Sequence, residues 1–182
     1  VLAMPRLVHP CRVGCADRIA AFYSEIMCAD GVEVVTREDG RRAAVVTFSG
    51  PGGAAALTQR LEFEEAEDAP PSDAYDHDEA RRYHLAIYTA DEAAFETAFR
   101  RAEAAGIVWV NERFEGAPPE FASPKTWAEA GVCQQFRVKD LIDPRTKELG
   151  IVLEHEIRSP SHRCCPFSQA SGATAPQVAS PE

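Results

Sequence analysis

A tetrapeptide occurs twice in closely similar form, as Leu61-Glu62-Phe63-Glu64 and as Leu153-Glu154-His155-Glu156. Each copy closes a stretch whose hydrophobic spacing predicts a strand, a helix and then three strands. Internal repeats of this size imply two similar modules packed into a pseudo-symmetric unit. The expected fold class is α+β, with two β-α-β-β-β modules forming an incomplete, barrel-like cleft. The boundaries expected are residues 6–65 for the first module, 66–80 for an acidic linker, 81–159 for the second module and 160–182 for a disordered tail.

In the first module, Arg6–Val13 reads as a strand that Pro10 pushes toward an edge or a bulge. Ile19, Phe22, Tyr23, Ile26 and Met27 recur at the spacing of one buried helical face, predicting a helix over 17–28 with Gly31 as its stop. Val32–Thr36 and Arg42–Phe48 flank an Asp39-Gly40 turn, and Ser49–Gly53 makes another turn before a strand over 55–64. In the second module, Tyr83–Thr89 predicts a strand, and Thr89–Glu92 resembles a capping box for a helix ending at Gly106. Strands are expected over 107–110, 134–138 and 150–157, with Asp143-Pro144 as a turn. Residues 113–131, with Pro118-Pro119, Phe121 and Trp127, read as a long loop of the kind that forms lids.

The bulk properties narrow the function. A formal net charge of −10 argues against nucleic acid and against anionic membrane surfaces, both of which need clustered basic residues. No apolar run reaches the roughly 20 residues that span a bilayer. Nor does the start of the chain show a secretory pattern, so a cytoplasmic protein is the expectation. Six cysteines occur without C-x-x-C spacing, which favours free thiols over zinc ligands or disulfides.

Strand parity then selects the candidate site. Side chains alternate along a strand, so Leu153, His155 and Ile157 share one face while Glu154 and Glu156 share the other. His84 lies opposite Tyr83, Leu85 and Ile87 by the same rule. A histidine and a carboxylate projecting from strands into one cleft suit a divalent ion or a proton-transfer pair. A merely solvated polar face fits the same alternation. His155 is expected on the helix side, Glu156 and Arg137 beside Glu154, and His77 and His162 on the surface.

The doubled pattern resembles the vicinal oxygen chelate superfamily, which includes glyoxalase I, extradiol dioxygenases, methylmalonyl-CoA epimerase and bleomycin-resistance-type proteins. Arg12-Val13-Gly14 followed by Phe22-Tyr23 is similar to the opening of many members, and Tyr83–Tyr88 with Gly106-Ile107 is similar to their second module. The resemblance spans residues 6 to 158. It implies a divalent metal (iron, zinc, manganese or nickel) held by the first and last strands of each module, acting as a Lewis acid on vicinal oxygens of a small substrate. Transferred residue by residue, it implies His84, Glu154 and Glu62 as ligands, with one of the two glutamates as general base. Counting back from Arg12-Val13-Gly14 places Val8 at the fourth position, and only a bulge at Pro10 would restore His9. The implied activity is that of a metal-dependent lyase, isomerase or dioxygenase. The alternative is a metal-free protein that sequesters a small molecule in the same cleft. The partner in either case is a small molecule, and homodimerisation is left open.

Overall fold

The computed structural model describes residues 5–48, 58–71 and 84–166. The turn expected over 49–53, the start of the strand expected at 55, linker residues 72–80, Tyr83, His77 and the tail beyond 166 lie outside the described residues.

The chain runs β1 (Arg6–Cys11), α1 (Ala16–Ala21), a π-helical turn (Phe22–Ile26), β2 (Val32–Thr36), β3 (Arg42–Phe48) and β4 (Gln59–Glu65). It continues with β5 (His84–Tyr88), α2 (Glu92–Ala105), α3 (Trp127–Cys133), β6 (Gln135–Ile142) and β7 (Leu149–Arg158). Two sheets result, a four-stranded one in the order β1-β4-β3-β2 and a three-stranded one in the order β5-β7-β6. In both, the first strand pairs in parallel with the last, which pairs antiparallel with the one before it. The expected strand over 107–110 shrinks to one bridge between Val108 and Val138, with the Trp109 N–H donating to the Arg137 carbonyl at 2.8 Å. That bridge stands where β2 stands in the first sheet. The doubled α+β arrangement is the one expected from the repeat.

Local chemistry accounts for most boundaries. α2 starts at Asp91, whose carboxylate accepts from the Ala94 N–H at 2.7 Å, and ends at Gly106, which takes φ +74°. The predicted helix over 17–28 divides, with α1 giving way to the π-helical turn at Phe22 and the chain leaving at Cys28 with φ 57°. Widening of the turn re-aims two bulky aromatics, Phe22 and Tyr23, which are both buried. Gly31 lies past this end, where a Cβ would come 2.9 Å from the Thr47 carbonyl oxygen; close strand approach, rather than helix termination, requires glycine there.

A single apolar core joins the modules. Ile19, Phe22 and Tyr23 of the first helical segment share it with Phe95, Phe99 and Phe136 of the second module. Gly150 in β7 lets Ile19 approach, since a Cβ would fall 2.7 Å from Ile19 Cγ1. Among the described residues, no helix is long and apolar enough to cross a membrane.

Candidate functional site

Register decides which side chains share the polar face of each sheet. The β1–β4 ladder runs without interruption, pairing Val8 with Glu62, His9 with Phe63 and Pro10 with Glu64. Pro10 lies on an edge strand, where a missing N–H is tolerated, and no bulge forms. Val8, 40% exposed, therefore stands beside Glu62. His9 turns to the opposite face and stacks on Phe63 with ring centroids 5.9 Å apart, and burial lowers its pKa. In the second module His84 pairs in register with Glu154, and Ala86 with Glu156.

Glu62, almost fully buried, accepts from Arg6 at 2.8 Å and from Arg37. The Arg6 hydrogen bond holds its carboxyl below the ordinary range; burial opposes this and the Arg37 charge reinforces it. Glu64 pairs with Arg41. In the second module the Arg137 guanidinium is 1% exposed, and its Nη1 donates to Glu154 at 2.8 Å and to Glu156 at 3.1 Å. Glu154 also faces the Asn111 amide at 3.4 and 3.5 Å. Glu156 accepts from Arg158 at 2.6 and 3.0 Å, with His84 Nε2 at 3.3 Å. Burial alone would raise the Glu156 pKa, but the His84 contact, Arg137 and Arg158 outweigh it and hold it at about 2. Although His84 is in register with Glu154, it thus pairs with Glu156, and its own side chain is 41% exposed.

The loop expected over 113–131 is a cover for this face, anchored by a helix. Thr126 and Glu129 form a complete capping box that starts α3. Ahead of it, the Phe114 ring lies 4.2 Å from the Arg137 guanidinium carbon, and Gln135 Nε2 donates to the Ala122 carbonyl at 2.6 Å. Residues 159–166 also pack down. Ser159 Oγ lies 2.5 Å from the Gln134 side-chain oxygen and 3.1 Å from the Glu92 carboxylate, with one hydroxyl hydrogen between them, and Tyr88 donates to the Cys164 carbonyl at 3.0 Å. His162, expected on the surface, is buried at 1% exposure against Tyr88 and the Glu120 carbonyl. The polar composition of this segment conceals that its side chains and backbone find specific partners.

On the reverse face the repeat carries a second pair of equivalent positions. Phe63 and His155 each lie against Tyr23, with centroids 5.8 and 5.6 Å away. The Tyr23 hydroxyl and His155 Nε2 are 2.5 Å apart, and His155 Nδ1 is 2.8 Å from the Leu153 carbonyl. Complete burial lowers the His155 pKa to about 4. The ring is therefore neutral, donating from Nδ1 to Leu153 and accepting from Tyr23 at Nε2. All six cysteines are free, and burial with neighbouring Cys15 and carboxylates pushes the Cys11 thiol up to about 12.

Sequence parity finds Glu62, Glu154, Glu156, Arg137 and His84 on polar faces. It misses Arg6, Arg37 and Asn111. Arg6 was discoverable, since it lies two residues before Val8 on the same face of β1. Arg37 and Asn111 come from connections, and no local pattern points to them. Among the described residues, no three His, Cys, Asp or Glu side chains are grouped so as to hold a metal ion.

No family model matches the chain, and no curated protein sequence matches it significantly. Two crystal structures are similar in chain path. One is a protein from Bacillus halodurans provisionally named a glyoxalase, with TM-score 0.45 and 15% identity over 86% of this chain and 95% of that one. The other is a lactoylglutathione lyase from Agrobacterium tumefaciens, with TM-score 0.39 and 16% identity over 86% of this chain and 92% of that one. Likeness at this level assigns no residue a role.

Proposed function

We propose that this chain is a metal-free small-molecule-binding protein of sequestration type, with the polar face of the second module and its covering loop as the binding region. The observation that carries this reading is the arginine at each candidate carboxylate: Arg6 and Arg37 on Glu62, and Arg137 on both Glu154 and Glu156. A guanidinium bonded to a carboxylate already supplies the positive charge a cation would bring, and a second cation there would meet repulsion. Val8 offers no donor at the remaining position, and His9 lies on the other face. As arranged, this donor set does not fit a divalent ion.

A metal-dependent lyase, isomerase or dioxygenase is the second reading, favoured by the direct register of His84 with Glu154. Equilibration of the full chain with zinc, nickel, manganese and ferrous ions separates the two. Under the proposed function no ion is retained stoichiometrically and the Tm is unchanged by any of them. One tightly bound ion per chain that disappears in His84→Ala and Glu154→Ala would overturn it.

A further inference from the structure

Two buried polar atoms on one strand face have no hydrogen-bond partner among the described residues: Arg137 Nε and Gln135 Oε1. Both side chains are essentially inaccessible, and they lie two residues apart on β6, hence on the same face. Leaving such a donor and such an acceptor unpaired costs free energy, so their retention together calls for an explanation. The residues' remaining polar atoms show where this face points. Gln135 Nε2 donates to the Ala122 carbonyl at 2.6 Å, and Arg137 Nη2 stands 3.5 Å from the Phe121 carbonyl, at the limit of a hydrogen bond. The covering loop thus presents its own peptide carbonyls to this pair of side chains and leaves one N–H donor and one oxygen acceptor unfilled. Turning the Gln135 amide over would set its oxygen against the Ala122 carbonyl, so the oxygen is the atom left unpaired.

Charge narrows what could fill them. Arg137 and Arg158 are matched by Glu154 and Glu156, so the cluster is already balanced. An added anion would face two buried carboxylates, and an added cation two guanidinium groups. A neutral group carrying both an acceptor and a donor meets neither penalty. Resting on the ligand-binding function proposed above, we infer that Arg137 Nε–H and Gln135 Oε1 recognise an uncharged ligand bearing adjacent carbonyl and N–H groups, as in an amide, lactam or ureide. Its carbonyl accepts from Arg137, its N–H donates to Gln135, and the Phe114 ring over the guanidinium roofs the site. Entry requires the loop to lift at Phe121, whose carbonyl holds Arg137 only at the limit of a hydrogen bond.

Benzamide, acetophenone and benzoate serve as probes: the first has both groups, the second lacks the N–H, and the third carries a charge. Each is titrated into the full chain to about 10 mM, a range suited to weak fragments, while the arginine Nε–H and glutamine side-chain amide resonances are followed by NMR. Benzamide is expected to bind at least about tenfold more tightly than either analogue, the size of one well-made polar contact, and to shift one Nε–H signal. Gln135→Met, which keeps the side-chain length and leaves the arginine–carboxylate cluster intact, should reduce benzamide to the affinity of acetophenone. Equal binding of all three probes would overturn the inference while leaving the ligand-binding function standing. No binding of benzamide, or binding without the Nε–H shift, would also overturn it. Stoichiometric metal uptake is read separately and bears on the broader function.

Discussion

The two modules carry the same carboxylate at the same register and neutralise it in opposite settings. Glu62 is held by Arg6 and Arg37, whose side chains are half and one-third exposed. Glu154 and Glu156 are held by Arg137, which lies in the interior beneath residues 111–126. Solvent reaches Arg6 and can take its place if it is lost, whereas Arg137 is shut away from solvent. The two modules thus agree in where a carboxylate points and differ in its energetic meaning, which the cover over it decides.

The sharpest way to break this comparison is to remove one arginine from each side. Arg137→Met should destabilise the protein by about 3–5 kcal/mol, since it leaves the buried Glu154 without a charged partner while Glu156 keeps Arg158, whereas Arg6→Met should cost under about 1 kcal/mol. Urea unfolding of both variants measures the difference, and similar losses would mean that the two faces are equally solvated.

A second contrast lies at Phe63 and His155, the letter at which the tetrapeptides differ. With the folded-state pKa of His155 held at about 4, the unfolded chain takes up a proton below its ordinary value near 6.5 and the folded chain does not. Stability is therefore full above that value and falls as pH drops toward about 4. The expected loss is on the order of 3 kcal/mol. His9 and His162, with pKa values also lowered, add to it in the same direction. In the Tyr23→Phe/His155→Phe double variant, which makes the repeat exact without orphaning a hydroxyl, most of that pH slope should vanish from thermal melts. An unchanged slope would place the acid sensitivity elsewhere.

Helix capping gives a smaller contrast. α1 has no side-chain cap of its own; the buried Glu65, from the end of β4, accepts from the Gly14 and Ala16 N–H groups, each at 2.9 Å. α2 is capped locally by Asp91. Both caps fall within the range of about 0.5–2 kcal/mol, with Glu65→Ala expected near the top and Asp91→Ala near the middle. Equal effects in denaturant melts would show that burial adds nothing to the cap. Smallest of all, Val8→His restores the symmetry with His84 at an exposed position and should alter stability by less than about 0.5 kcal/mol. No divalent metal uptake is expected from it, because Arg6 and Arg37 remain on Glu62. Uptake by that variant would show that the arginines yield readily.

Much of this architecture was legible because it is written in local periodicity. The α2 pattern with its stop at Gly106, the Asp39-Gly40 turn and the strand parity around Glu62 and Glu154 all follow from residues close in sequence. What stayed hidden depends on distant partners. The break at Phe22 arises from aromatics reaching both sheets, and Glu65 caps a helix 49 residues away. One local signal does lie inside a stretch whose prolines suggest only loop: Thr126-x-x-Glu129, the capping box of α3. At the site, alternation located the carboxylates and Arg137. It could not say that the guanidinium would be enclosed, since enclosure comes from the loop that carries Phe114 and Phe121.

The strand order carries a consequence for how the molecule is made. Among the described residues β7 is the last strand in sequence and the middle strand of its sheet, paired on both sides by β5 and β6. During synthesis those two strands emerge with their shared neighbour still unmade, and Tyr23 waits for a partner 132 residues downstream. β5 and β6 cannot be joined until Leu149–Arg158 leaves the ribosome, so closure of the second sheet is a late, long-range event. The first sheet, whose central β4 ends at Glu65, can assemble well before that and offer a template against which the second half docks.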